Sequence, residues 1–299
     1  MSSFFDEIAS NNMKSILLLL AFFLLFSFVI LVFVSYIGGG PVAFGVGIAM
    51  VAAYAAYVFF LGDKLILKMS GSKEADRKQY PGLYEVVGGL AVANQIPIPK
   101  VYIVQDPNPN AFATGRNKKS ASISVTTGLL NTMNTQELEG VLAHEISHIY
   151  DNDIRYMMVA VVFAGAIGIA AAFIRNMFWF GGIGGRNRQG GDGIIIVALL
   201  IGLLAPLFAM LIRLALSRKR EYMADANGAR IIRNPGALSS ALRKIQKYSQ
   251  DPRSTQVKNV NEVTAPLYFA NPLSKANLMN LFSTHPPIQE RIDRLEHMY

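Results

Sequence analysis

Two long stretches without a charged residue open the chain and set its organisation. Residues 15–36 and 41–62 are uncharged and mainly apolar, and only the glycine-rich segment 37–40 separates them. Each run is long enough to cross a bilayer as a helix, which takes about 20 residues. A cleaved signal peptide has a shorter apolar run, and no second run follows it at once. The pattern therefore predicts an amino-terminal transmembrane hairpin, residues 1–62.

A second pair of apolar runs covers residues 157–174 and 194–212. These runs are shorter and rich in small residues, which suits close helix packing, and they either cross the bilayer or pack partly against protein. We expect two spans, forming a second hairpin over residues 157–216. The composition also indicates a membrane protein, because only 16% of the residues are charged, against roughly 25% in ordinary soluble chains.

The two remaining segments, residues 63–156 and 217–299, are charged and aqueous in character. They hold ten and thirteen Lys/Arg, whereas the turn at 37–40 has none and the loop at 175–193 has three. Because positive residues favour the cytoplasmic side, we expect both aqueous segments and both termini to be cytoplasmic. The net charge of +8 is then explained by lysine and arginine beside membrane spans, and no tract predicts nucleic-acid binding.

The aqueous segments alternate between helical and strand periodicity. Helices are predicted from Pro81, from Asn134, over 234–248 and after Pro287, and strands at 101–104, 111–114 and 121–125. Residues 251–280 have no clear period and are a candidate loop over a cleft. The expected fold class is α+β: a four-helix transmembrane part and a mainly helical cytoplasmic domain with a small β-sheet.

The five residues 144–148 read H-E-I-S-H within one predicted helix. His144 and His148 are one turn apart, about 6 Å along the axis, so both can bind one Zn²⁺. Glu145 sits beside that face, where it can act as general base on a metal-bound water. The alternative is that these residues only solvate or cap a helix. The predicted core stripe is Leu138, Leu142, Ile146 and Ile149, which turns the histidines away from the packed side, towards a cleft.

A catalytic zinc site needs a third protein ligand. The chain has no cysteine, so this ligand must be another histidine or a carboxylate. It must also lie on the same side of the membrane, to which the chain returns at Ser217 after two crossings. Glu221 and Asp225 follow there, four residues apart on a probable helix. Glu221 can bind the metal while Asp225 orients a histidine, or both can form a solvated acidic face.

Four motifs together resemble the HtpX branch of the Ste24/HtpX membrane metallopeptidases. They are H-E-I-S-H at 144–148, E-Y-M-A-D at 221–225, N-A-F-A-T-G at 110–115 and S-T-H-P-P-I-Q-E-R-I at 283–292. The similarity extends over nearly the whole chain, including the amino-terminal hairpin, and no motif position departs from the pattern.

The resemblance implies one Zn²⁺ per chain, bound by His144, His148 and Glu221, with Glu145 as catalytic base. It also implies a gluzincin-like fold in the cytoplasm, a multi-pass location in a bacterial inner membrane, and a role in proteolytic quality control. The expected partners are the lipid bilayer and unfolded or damaged membrane-protein substrates.

Three further features have open interpretations. The segment 110–113 is either a sheet edge that binds substrate as an added strand or an ordinary strand. His285 either stabilises the oxyanion, fills the open metal position at rest, or caps a helix. Arg291 is a candidate structural anchor near the site. The edge residues are Asn110, Ala111, Phe112 and Ala113.

Our hypothesis is a membrane-integrated zinc endopeptidase, and three rivals differ from it. A Ste24-like processing protease for lipidated peptides has more spans than the four expected here. A metal transporter would place ionisable residues within its spans, and the four apolar runs have none. A non-catalytic membrane chaperone would hold a structural zinc closed by a fourth protein ligand, leaving Glu145 without a role.

Overall fold

The computed structural model describes residues 39–163, 218–250, 267–269 and 286–298, with residue 165 and scattered positions between 13 and 34. The helices are the span helix (Pro41–Met69), the cover helix (Pro81–Ala93), the short helix Thr127–Thr132, the motif helix (Thr135–Tyr150), the carboxylate helix (Arg218–Ile232), the flanking helix (Pro235–Gln250) and the terminal helix (Ile288–Glu296). Residues 153–163 are also helical, and Lys118–Ser120 forms a 3₁₀ turn. The strands are β1 (Lys73–Glu74), β2 (Lys100–Val104), β3 (Ala111–Thr114) and β4 (Ser122–Thr126).

The strands form one mixed sheet in the order β1-β2-β4-β3. β2 and β4 pair in parallel, and the two outer pairings are antiparallel. Val101, Ile103, Ile123 and Val125 are buried in the same hydrophobic cluster as residues of the motif, cover, flanking and terminal helices. Strand β3 closes one edge of the sheet and is buried along its whole length. The three predicted strands are confirmed, and the two-residue β1 was not predicted.

The span helix is the one helix among the described residues that is long and apolar enough to cross a membrane. It has 29 residues, and only 17% of its most apolar window is buried. Its outward face is therefore apolar, as in a helix surrounded by lipid. Of the third apolar run only residues 157–163 and 165 are described, and the fourth run lies outside the described residues. The four-span arrangement therefore stays a prediction.

A second hydrophobic cluster joins the sheet edge to the span helix. Phe112 of β3 and Tyr268 pack in one cluster with Val58 and Ile66 of the span helix and with Met158. The ring centres of Phe112 and Tyr268 are 5.0 Å apart. The aqueous domain is thus packed directly on the end of the span helix.

The start of the motif helix, predicted at Asn134, is fixed by a capping box. The Asn134 backbone N–H donates to Glu137 at 2.9 Å, and the Glu137 N–H donates to the Asn134 side chain at 2.9 Å. Ser240 and Lys244 of the flanking helix also donate to the Glu137 carboxylate, at 2.7 and 2.6 Å. One glutamate therefore caps the motif helix and ties it to its neighbour.

The expectation that the histidines point away from the packed side of the motif helix is wrong for the described residues. The core stripe is largely as predicted, but His144 and His148 are also buried, only 1% and 4% exposed. The carboxylate helix crosses this face at close range, because a Cβ added at Gly228 would lie 3.0 Å from the His144 backbone nitrogen. Both faces of the motif helix are packed, since a second helix from far along the sequence covers the histidines.

Candidate metal centre

Three side chains from two helices converge on one point. The Nε2 atoms of His144 and His148 are 3.1 Å apart. Glu221 of the carboxylate helix places its Oε2 3.7 Å from His144 Nε2 and its Oε1 3.5 Å from His148 Nε2. The ligand atoms of this group all lie within 4.8 Å of one another, so the group could hold a metal ion. Two imidazoles and one carboxylate fit Zn²⁺ and leave a fourth position for water.

Each histidine is oriented by a carboxylate behind it. His144 Nδ1 is 2.9 Å from Asp225 Oδ1, and His148 Nδ1 is 3.0 Å from Asp153 Oδ2. These contacts direct both Nε2 atoms at the common point, as in sites where a carboxylate fixes the tautomer and angle of a metal-binding imidazole. Asp225 was a candidate for this position from the sequence, whereas Asp153 was not.

Asp153 reaches His148 because the chain reverses directly after the motif helix. Asn152, between the helix end and Asp153, has φ = +57°. Asparagine tolerates this left-handed conformation better than most residues. Asn-Asp just beyond a helix whose last turn carries a histidine is the signal that sequence reasoning could have used. Spacing alone does not predict this contact, because residues five apart do not face each other on a continuous helix.

Arg291 of the terminal helix is buried and forms a salt bridge with Asp225. Its Nε and Nη2 atoms donate to the two Asp225 oxygens at 2.8 and 2.7 Å, and Nη1 donates to the Phe269 carbonyl at 3.0 Å. Nη1 also lies 3.9 Å from Glu221 Oε2. Burial opposes ionisation of Asp225, but Arg291 outweighs it and holds the pKa of Asp225 well below its usual range. Arg291 therefore keeps the carboxylate behind His144 charged.

The electrostatics of this group favour a cation. Burial lowers the pKa of His144 to about 4, although Asp225 acts in the opposite direction. Burial also opposes the charge on His148, but the hydrogen bond with Asp153 and the charge of Glu221 outweigh it and raise the pKa of His148 to about 9. The carboxylates thus attract positive charge to the point where the Nε2 atoms meet. A divalent cation can replace the proton there, since metal binding to histidine releases protons.

Glu145 is buried next to this group, and its carboxylate accepts a hydrogen bond from the Ala113 backbone. Burial raises the pKa of Glu145 to about 7, Glu221 adds to this effect, and His148 opposes it. A carboxylate with a pKa near neutral pH can both accept and return a proton under physiological conditions, as a general base must.

The outer edge of β3 carries main-chain groups that point towards the site. In the antiparallel pairing with β4, Asn110 accepts from Thr126, so Ala111 and Ala113 turn their N–H and C=O groups away from β4. The Ala111 carbonyl accepts from the Phe269 N–H at 2.8 Å. The predicted edge is therefore present, and the segment 267–269 already pairs with it at Ala111.

The segment 267–269 was not singled out by sequence reasoning, although all three residues are buried. The Phe269 ring meets the His144 ring edge-to-face, with centres 4.9 Å apart, and the Arg291 guanidinium lies 4.5 Å from the centre of the Phe269 ring. The predicted cleft loop is described only at these three positions. His285 lies outside the described residues.

Comparison with known proteins identifies the chemistry of this centre. The model of peptidase family M48 matches residues 77–299. The chain belongs to peptidase family M48. Zinc is the cofactor of this family, and the M48 chain is accordingly a zinc metallopeptidase with a His-His-Glu group that could hold the ion.

Two relatives named Protease HtpX homolog match this M48 chain over nearly its full length. The relative from Dictyoglomus turgidum is 43% identical over 297 residues, which cover 99% of this chain and 95% of the relative. The relative from Streptococcus gordonii is 39% identical over 304 residues, which cover 98% and 99%. The predicted resemblance to the HtpX branch is thereby confirmed.

A solved structure shares the fold. The crystal structure of S. mikatae Ste24p matches with a TM-score of 0.52 and 19% sequence identity, and the match covers 97% of this chain. It covers 66% of the Ste24p chain, so this M48 chain spans about two thirds of that protein's length.

Proposed function

We propose that the chain is a membrane-embedded zinc endopeptidase whose ion is bound by His144, His148 and Glu221. The observation that carries this proposal is the convergence of these three side chains within 4.8 Å. Asp153 and Asp225 support it, because each holds one imidazole with Nε2 towards the shared point. With three protein ligands the ion keeps an open position, which catalysis requires and a structural zinc site lacks.

The mechanism assigns the proton transfers to Glu145. When bound, the zinc ion lowers the pKa of a water molecule to about 7 and polarises the carbonyl of the scissile bond. Glu145 accepts the proton of that water as it attacks the carbonyl carbon, and then gives the proton to the departing amine nitrogen. The Ala113 N–H holds the carboxylate in place meanwhile. His285, six residues before the buried Arg291, is the candidate donor to the oxyanion.

The substrate main chain would pair with the outer edge of β3. On that side the Ala113 N–H donates to the proposed catalytic base and the Ala111 carbonyl accepts from Phe269, so a peptide would pair with the edge by replacing the segment 267–269 at Ala111. A peptide paired there would therefore pass directly beside Glu145. The bond from Phe269 to Ala111 supports this, because it shows that the edge accepts a main-chain donor from another segment. Main-chain pairing depends little on the side chains of the bound peptide, which suits a protease of broad specificity.

The proposed substrates are exposed segments of damaged membrane proteins on the cytoplasmic side. The position of the catalytic domain supports this class, because Val104 and Phe112 pack in one cluster with Val58 and Ile66 of the span helix. A site held this close to the bilayer meets loops and ends of membrane proteins. The orientation can be tested directly, since the chain has no cysteine. Lys247→Cys, at an exposed position, should react with impermeant maleimide in inside-out vesicles and not in intact cells.

Cleavage of a disordered reporter tests the mechanism. Full-length protein in detergent with Zn²⁺ should cleave casein, and Glu145→Gln should lower the rate about 100-fold or more while one zinc per chain is retained. Glu139→Gln, on the same helix but partly exposed, is the matched control and should cleave like the wild type. Equal rates for Glu145→Gln and the wild type would reject the mechanism.

The ligand set is tested separately by metal content. His144→Ala and Glu221→Ala should each lose bound zinc when measured by inductively coupled plasma mass spectrometry after dialysis. A Glu221→Ala protein that keeps one zinc per chain would show that another group is the third ligand, even if Glu145 is catalytic.

A further inference from the structure

Arg116 lies against the span helix, outside the metal centre. Its guanidinium carbon is 5.8 Å from the ring centre of Phe59 and 5.2 Å from that of Phe60. Phe60 is 59% exposed and the next residue, Leu61, is 38% exposed. On a helix that crosses a membrane, exposed apolar side chains face lipid. The guanidinium therefore lies at the surface where protein meets acyl chains.

The depth of this guanidinium follows from the position of the first charged residue. Phe60 precedes Asp63, which ends the uncharged run of the span helix, by three residues, or about 4.5 Å along the axis. Arg116 thus reaches the level where the hydrocarbon core gives way to the headgroups. A long cationic side chain at this level keeps its charge near the phosphates while its stem contacts apolar groups.

Arg155 brings a second positive charge to the same place. Its Nε donates to the Arg116 carbonyl at 2.6 Å. Arg155 also lies two residues before the third apolar run, which packs on the span helix, because a Cβ added at Gly62 would be 3.3 Å from the Met158 side chain. Both arginines are therefore at the same membrane boundary. Burial and the neighbouring positive charge of Arg116 lower the pKa of Arg155.

Among the residues that the structure describes, no carboxylate forms a salt bridge with Arg116. The anion that is abundant at this depth of a membrane is the phosphodiester of a phospholipid. A guanidinium is well matched to it, because it can form two parallel hydrogen bonds to phosphate oxygens.

We propose that Arg116, assisted by Arg155, binds the phosphate of a glycerophospholipid whose acyl chain lies along Phe60 and Leu61. An anionic headgroup such as phosphatidylglycerol binds best, because two positive charges converge there. The bound lipid holds the loop after β3 at the membrane surface. This site depends on the span helix lying in the bilayer and does not depend on proteolysis, so its failure and that of the proposed protease are separable.

Native mass spectrometry of the full-length protein, released from detergent micelles that contain phosphatidylglycerol, tests the site. The wild type should retain one phosphatidylglycerol, and Arg116→Gln should lower the retained fraction about tenfold, as expected for loss of a charge-assisted pair. The Arg116 guanidinium lies over the rings of Phe59 and Phe60 and is in no described salt bridge, so this variant is expected to fold, with an unchanged zinc content. Lys119→Gln, exposed in the following turn, is the charge-matched control and should retain lipid like the wild type.

Two arms distinguish the source of the phosphate. Inorganic phosphate at 10 mM should leave lipid retention unchanged, and phosphatidylcholine should be retained several-fold less than phosphatidylglycerol. Displacement by inorganic phosphate would overturn the lipid assignment. Retention by Arg116→Gln equal to that of the wild type, or an equal loss in Lys119→Gln, would overturn the site itself. If Arg155→Gln also lowers retention, the two-arginine form of the site is supported; wild-type retention in that variant would remove Arg155 from it.

Discussion

Replacing Arg291 by leucine would leave Asp225 buried and without its guanidinium partner. The wild-type side chain makes two bonds to Asp225, at 2.7 and 2.8 Å, and a third to the Phe269 carbonyl at 3.0 Å. Bonds of this kind contribute about 1.5–2 kcal/mol each, and burying leucine returns about 2 kcal/mol. The net loss is about 2.5–4 kcal/mol of unfolding free energy, which overlaps the range for broken buried ion pairs.

The same change should weaken zinc binding. Arg291 is the main influence that keeps the pKa of Asp225 low against burial, so without it Asp225 takes up a proton more readily. A protonated Asp225 is a poorer acceptor for the Nδ1–H of His144. Loss of such an outer contact typically lowers metal affinity about 10- to 100-fold.

Thermal unfolding in detergent and zinc competition with a chelator measure the two effects of Arg291→Leu. Arg294→Leu is the matched control, one turn away on the terminal helix, with a side chain 54% exposed and a partner at the surface. It should change neither stability nor zinc affinity appreciably. Adding Asp225→Asn to Arg291→Leu should cost less than the two single losses together, because the pair is coupled. Wild-type stability and zinc affinity in Arg291→Leu would refute the reasoning.

Three other predictions concern the same centre. Asp153→Asn should lower zinc affinity about 10- to 100-fold by releasing the His148 ring, measured by chelator competition. Gly228→Ala should destabilise the protein by about 1–3 kcal/mol through overpacking, whereas Gly89→Ala, in open space, should not destabilise it. Burial raises the pKa of Glu145 from 4.5 to about 7. The contribution of this group to the stability of the metal-free protein is therefore full below pH 4.5 and is lost as the pH rises through about 7. Between pH 4 and 8 the unfolding free energy of the metal-free wild type should therefore fall by up to about 3 kcal/mol relative to that of Glu145→Gln, as measured by unfolding with chelator present.

Each of these has a contrary result. Unchanged zinc affinity in Asp153→Asn would mean that the imidazole is held by other contacts. Equal unfolding temperatures for Gly228→Ala and the wild type would mean that the two helices separate at little cost. Parallel pH profiles of the metal-free wild type and Glu145→Gln would show that the buried carboxylate has an ordinary pKa in the folded protein.

The elements that the sequence predicts well are those specified by local contacts. The capping box of Asn134 and Glu137 lies within one turn, and the apolar residues of β2 and β4 alternate or cluster as strands do. Strand β1 was missed because Lys73 and Glu74 are exposed and carry no apolar pattern. Its extended form depends on the unpaired edge of β2, which no local signal reveals.

The sequence predicts the candidate metal ligands but does not predict that they are buried. H-E-x-x-H and the acidic pair of the carboxylate helix have spacings that name the candidate ligands. Burial of the histidines depends on how closely that helix approaches, which Gly228 permits. The contact of Phe269 with the edge of β3 joins residues far apart in the sequence, and three residues carry no periodicity from which to infer it.

The carboxylate helix follows the motif helix only after the second pair of apolar runs. A chain still on the ribosome, with residues 135–150 already emerged, has two of the proposed ligands but lacks Glu221 and the Arg291 that steadies Asp225. With the proposed ligand set, such a chain would have no complete ion site and would not hydrolyse its neighbours. The order of the proposed ligands along the polypeptide thus delays a complete ion site until the carboxylate helix has been made.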